Sequence, residues 1–120
     1  MDIKNRSLLN QVEPLLSEKQ LQLISHISYS YGEERHLNQS VEEMSELIKA
    51  IMKLKRYPGQ KRERLKDVAE EIADVAICLE NLIQCFDIQE KVSSIVDKKI
   101  ERELNRIANN TENIKEEIKK

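Results

Sequence analysis

Two short acidic segments carry the residue types best suited to chemistry, Glu42-Glu43-Met44-Ser45-Glu46 and Glu70-Glu71-Ile72-Ala73-Asp74. In each, two carboxylates stand three residues apart: Glu43 with Glu46, and Glu71 with Asp74. Residues three apart on a helix are surface neighbours, with Cβ atoms roughly 5–6 Å apart. Each pair can therefore grip one side of a hard cation, and two facing pairs form an oxygen-rich cage. Mg²⁺ prefers such ligands and keeps positions open for water and substrate phosphates; Mn²⁺ is a plausible substitute. In a chain with 22 acidic residues, a single E-x-x-E is ordinarily a solvated helix face. The weight rests on two matched pairs.

The elements that must hold these pairs are helices. Two glycines, two prolines, 3% aromatic and 35% charged residues suit long helices and not a sheet. Ser17 and Gln20 form a capping-box pattern ahead of a helix expected over residues 18–31, with Leu21, Ile24, Ile27 and Ser28 on one face and Gly32 ending it. A second helix is expected over 35–56 with the stripe Leu37, Val41, Met44, Ile48 and Ile51. Tyr57-Pro58-Gly59 reads as a turn. A third is expected over 62–86, striped by Leu65, Val68, Ile72, Val75, Leu79 and Leu82, and a fourth over 89–108 with Val92, Val96, Ile100 and Ile107. The expected organisation is a segment 1–16, a helical domain 17–108 and a charged tail 109–120, in which Asn109-Asn110-Thr111 breaks the pattern and the rest forms a frayed or short solvated helix. Long amphipathic helices with short connections predict an all-α, four-helix antiparallel bundle. An apolar share of 39% leaves room for a core completed by a second subunit.

At about 100° per residue, Glu43 and Glu71 each fall at the edge of their helix's apolar arc, and Glu46 and Asp74 sit roughly 60° further out. The pairs occupy equivalent flanks, as a shared cleft requires. Glu42 and Glu70 point further from the core.

Charge and cysteines bound the partners. Twenty basic against 22 acidic residues give a net charge of −2, without the basic excess of a duplex-binding domain. No run approaches membrane-spanning length, so neither nucleic acid nor membrane is an expected partner. Cys78 and Cys85, seven apart on one predicted helix, lie about 10 Å apart along its axis and cannot bridge each other. A reduced, cytoplasmic protein is the simplest expectation.

The stretch YGEERHLNQSVEEMSELIKAI, a turn, then DVAEEIADVAICLENL resembles the MazG-like branch of the all-α nucleoside triphosphate pyrophosphohydrolases. That family's signature is E-x-x-E, a helix–turn spacer and E-x-x-D, followed by a helix with K-x-x-x-N-x-x-R. Glu43, Glu46, Glu71 and Asp74 fall on the acidic positions, and Lys99 and Arg106 on the basic ones; Glu103 stands where the motif has Asn. The resemblance covers roughly residues 31–106. It implies Mg²⁺-dependent conversion of an NTP or dNTP to the monophosphate and pyrophosphate, and a homodimer or homotetramer. Under it, Glu46 and Asp74 are the leading metal ligands. Glu43 and Glu71 are further ligands, with Glu43 a candidate acceptor of the attacking water's proton.

Lys99, Arg102 and Arg106 share one stripe of the fourth helix and are candidate phosphate contacts, with Lys53 and Lys55 behind them. His36 either touches base or ribose or serves as a surface or capping residue. Asn81 continues the flank of Asp74 and Cys78 and is a candidate to line the nucleotide pocket, while Cys78 is expected to be a small buried side chain. Two other classes compete. A di-iron bundle needs two E-x-x-H units; Glu33 with His36 makes one, and Leu23 ahead of His26 denies the second. The other is a non-catalytic helical assembly module of the same fold.

Overall fold

The computed structural model describes residues 13–119; most of the expected N-terminal segment, residues 1–12, lies outside the described residues. Four α-helices follow one another, α1 Glu18–Ser30, α2 Glu33–Arg56, α3 Lys61–Phe86 and α4 Gln89–Lys119, with a 3₁₀ turn Pro58–Gln60 between α2 and α3. Among the described residues there is no strand, as the composition requires.

Local chemistry sets the helix ends. The Gln20 amide donates to Ser17 Oγ at 3.1 Å and the Ser17 amide donates to Gln20 Oε1 at 2.8 Å, so the capping box closes in both directions. Gly32 has φ −81° and ψ 166° and caps the start of α2; it does not end α1 in a left-handed turn. Extended backbone at Tyr31 makes that break instead. The α2 dipole is matched by Glu33 and Glu34 in its first turn and by Lys53, Lys55 and Arg56 in its last. Pro58 opens the 3₁₀ turn, where its missing N–H costs nothing.

The chain divides between Phe86 and Asp87 into two compact units. Asp87 has φ 52°, a left-handed conformation that a short polar side chain tolerates, and it stops α3. In the first unit α2 and α3 form a helical hairpin and α1 packs on α3. Its buried apolar residues are Ile24, Ala50, Val75, Ala76 and Cys78, joined by His36, Ser40 and Asn81. Small side chains dominate this set, which lets the helix axes approach closely. Truncating Ile24 to Ala would cost about 2–4 kcal/mol.

The expected apolar stripe of α2 is not its buried face. Val41 is 68% and Ile48 62% exposed, while the inward line of α2 runs through His36, Ser40 and Ala50. Leu65, Ile72 and Leu79 of α3 are also exposed, each to a little under half. A polar seam ties α1 to α3: Ser25 Oγ donates to Gln84 Oε1 at 2.6 Å, and Gln84 Nε2 donates to Glu80 Oε1 at 3.1 Å.

The second unit is dominated by α4, which runs unbroken through Asn109-Asn110-Thr111. The expected helix end at Ala108 is corrected: Thr111 Oγ1 donates to the Ile107 carbonyl at 2.9 Å, and Ile114 and Ile118 carry the helical spacing onward. No residue of α4 is buried.

Candidate metal centre

The hairpin brings the second helix's acids opposite the third's. Glu43, Glu71 and Asp74 each offer a carboxylate oxygen, and the three atoms lie within 4.8 Å of one another. Glu43 and Glu71 are half-buried and Asp74 is exposed, so the group opens to solvent on one side. Glu46, the fourth acid of the pattern, stands outside this group. Its side chain is 47% exposed and reaches Lys49 at 4.0 Å. The even weighting of Glu46 and Asp74 from spacing therefore separates into one acid inside the cluster and one at its margin.

The electrostatics are those of a site built for positive charge. Burial, and next the charge of Asp74, push the Glu43 carboxyl above the usual carboxylate range. Gln39 partly opposes this by donating from Nε2 to Glu43 Oε1 at 2.9 Å. Glu71 is raised by burial and then by Asp74, Glu43, Glu46 and Glu70. Its Oε2 is buried and meets no hydrogen-bond partner among the described residues. Buried acceptors are nearly always paired, so this atom marks a place where the protein alone does not complete the contact. A divalent cation among these oxygens would supply the missing partner and relieve the mutual repulsion, and the all-oxygen donor set fits Mg²⁺. The residues present thus fit the metal.

Other expected site residues take different places. His36 is 4% exposed, and its Nε2 donates to the Ser28 carbonyl at 3.0 Å. That carbonyl is one of the last four of α1, which have no partner inside the helix. Of the surface and capping roles expected for His36, the surface one is corrected: the buried ring closes the end of α1 from α2, and this internal contact engages its ring nitrogen. Ser40 Oγ donates to the His36 carbonyl at 2.7 Å, one turn along the same inward line.

Cys78 is 6% exposed, as expected of a small buried side chain. Burial, then the charge of Glu43, push its thiol up, so it stays protonated beside the acids; Ser40 acts in the opposite direction. Asn81 is 7% exposed, and its Oδ1 has no partner among the described residues. Lys99, Arg102 and Arg106 lie on α4 in the second unit. There Arg106 Nη1 pairs with Glu103 Oε2 at 3.2 Å, so the residue that departs from the sequence motif holds the arginine that matches it.

Lys49 was not singled out from the sequence. It lines a cavity of about 160 Å³ with Glu46, Lys53, Asp67, Glu70 and Glu71. The available signal was its spacing, three residues beyond Glu46 and four before Lys53.

A family sequence model described as the MazG nucleotide pyrophosphohydrolase domain matches residues 32–107. The match takes in both acidic segments, the turn between their helices and the basic positions of α4. No curated protein and no solved structure matches the chain.

Proposed function

Because the chain belongs to the MazG nucleotide pyrophosphohydrolase domain family, we propose that it is an active, Mg²⁺-dependent enzyme that converts an NTP or dNTP to the monophosphate and pyrophosphate. The observation that carries this reading is the convergence of Glu43, Glu71 and Asp74, with one buried Glu71 oxygen left without a partner. Family membership alone is compatible with an inactive helical module; an inactive module has no chemical use for three mutually repelling carboxylates.

The reaction joins a water oxygen to the α-phosphorus and breaks the bond from that phosphorus to the bridging oxygen of the leaving pyrophosphate. Glu71 and Asp74, with Glu43, would hold Mg²⁺, and the ion would neutralise phosphate charge and lower the cost of forming the nucleophile. Glu43 is the proposed acceptor of the water's proton. Gln39 fixes one Glu43 oxygen and so orients the carboxylate. Glu46 adds negative charge at the rim. Asn81, with its free acceptor, is a proposed nucleoside contact. Lys99, Arg102 and Arg106 are proposed phosphate contacts on the strength of the sequence resemblance alone.

The exposed apolar side chains of Val41, Ile48, Leu65, Ile72 and Leu79 support a homodimer or homotetramer in which a second copy covers them. Light scattering after size exclusion tests this, and a stable monomer overturns it. For the activity, the test is pyrophosphate release from common and modified NTPs and dNTPs with Mg²⁺ or Mn²⁺. Metal-dependent release from at least one is expected. Absence of turnover and of metal-dependent nucleotide binding across the set overturns the enzyme reading in favour of a non-catalytic assembly module.

A further inference from the structure

The two ends of the acid cluster are chemically unlike. Toward the Pro58–Gln60 turn lies the cavity of about 160 Å³ whose wall includes Glu71 itself, with Lys49 and Lys53 on α2 and Asp67 and Glu70 on α3. Lys49 and Lys53 are four residues apart, one above the other on the helix face. Lys49 meets Glu46 only at 4.0 Å, with its side chain 65% exposed, and Lys53 makes no ion pair among the described residues. Asp67 is partly neutralised by Arg64 at 3.6 Å. Toward α1, the uncharged and buried Ser40 and Cys78 lie beside Glu43, the exposed Gln39 donates to it, and Asn81 is buried further along α3; Glu42 is the one charged neighbour on that side of Glu43. Arg35, a cation at that end of α2, lies over the Tyr31 ring at 3.8 Å.

From this asymmetry we infer that the substrate lies along the hairpin in one direction, with its β- and γ-phosphates toward the turn between Lys49 and Lys53 and its nucleoside toward α1. The inference rests on the proposed function and adds the polarity of the bound nucleotide and two residues that hold the leaving group. The reasoning is electrostatic. A pyrophosphate arrives with Mg²⁺, which can meet the four carboxylates of the same wall, Glu46, Asp67, Glu70 and Glu71, while its free oxygens gain from two ammonium groups; a sugar and base lose nothing by facing uncharged side chains. Lys49 and Lys53 also lie on the same helix as Glu43 and Glu46, so their spacing from the cluster is fixed by the helix. At about 1.5 Å rise per residue, they stand roughly 4–5 Å and 10 Å beyond Glu46 along its axis.

The test uses the full chain with Lys49 and Lys53 both changed to Ala, and Lys66→Ala as a control for loss of a lysine on the neighbouring helix. Inorganic pyrophosphate and the nucleoside monophosphate product are measured separately, each with Mg²⁺, as inhibitors of turnover and as calorimetric ligands. Pyrophosphate is expected to weaken about tenfold or more in the double variant while the monophosphate changes less than about twofold. Lys66→Ala should move neither, and Lys49→Arg with Lys53→Arg should restore most of the loss. Unchanged pyrophosphate binding in an enzyme that still hydrolyses its substrate overturns the polarity and leaves the proposed function standing. Equal weakening of both products also overturns it. If the unsubstituted protein neither hydrolyses a nucleotide nor binds pyrophosphate, both readings fall together.

Discussion

The acidic segments of α2 and α3 have the same spacing and different fates. In α3 both carboxylates of the pair, Glu71 and Asp74, enter the three-acid group; in α2 Glu43 enters and Glu46 does not. Helix periodicity treats the pairs as equivalent, because it knows only the angle between positions on one helix. Membership in a cluster depends on where the opposing helix lies and on what competes for each side chain. Asp74 faces the acids alone, whereas Glu46 has Lys49 one turn on. Spacing therefore nominates candidates, and packing decides which of them meet.

The difference can be broken or sharpened by substitution. The largest effect is expected for Asp74→Ala and Glu71→Gln. Outer contacts of metal sites are worth about 10–100-fold, so losing a direct ligand should cost more than about a hundredfold in kcat/KM. Circular dichroism should show the helical content retained. Glu43→Gln comes next: it keeps the Gln39 contact but cannot accept a proton, and kcat should fall by about a hundredfold. A Glu43→Gln enzyme with unchanged kcat would remove Glu43 from the proton-transfer role. Glu46→Gln should cost about tenfold, the low end for an outer contact. If Glu46→Gln instead equals Asp74→Ala, the two segments are equivalent after all and the cluster closes further on binding.

The smallest effect is thermal, and its sign follows from linkage. Burial and neighbouring charge raise the Glu43 and Glu71 carboxyls in the folded state. The folded protein then holds these protons more tightly than the unfolded chain. The metal-free protein should lose stability as pH rises from the ordinary carboxylate range through the raised folded values, and stay lower above them. Glu71→Gln should raise the metal-free melting temperature at pH 7 and leave it nearly unchanged at pH 4. A fall at pH 7 would show that Glu71 is stabilising as a charge and is not repelled.

Much of the fold was legible because it is written locally. Ser17 with Gln20 starts α1, and Tyr57-Pro58-Gly59 separates α2 from α3. What the sequence misjudged depends on contacts between elements. The wheel chose Val41 and Ile48 as the core of α2 because they are the most apolar, but close packing against α3 selects small residues, and Ser40 and Ala50 go inside. For His36 the surface and capping roles stayed open because nothing local shows that the Ser28 carbonyl of another helix needs a donor. Asn109-Asn110-Thr111 looked like a stop, yet Thr111 can satisfy its hydroxyl within the helix.

Calorimetric titration of Mg²⁺ tests the central claim most directly, comparing the unsubstituted protein with Glu71→Gln and Glu46→Gln. The account predicts saturable binding to the unsubstituted chain, lost in Glu71→Gln and largely kept in Glu46→Gln. Equal binding by the unsubstituted protein and Glu71→Gln, or no binding by any of the three, would contradict it.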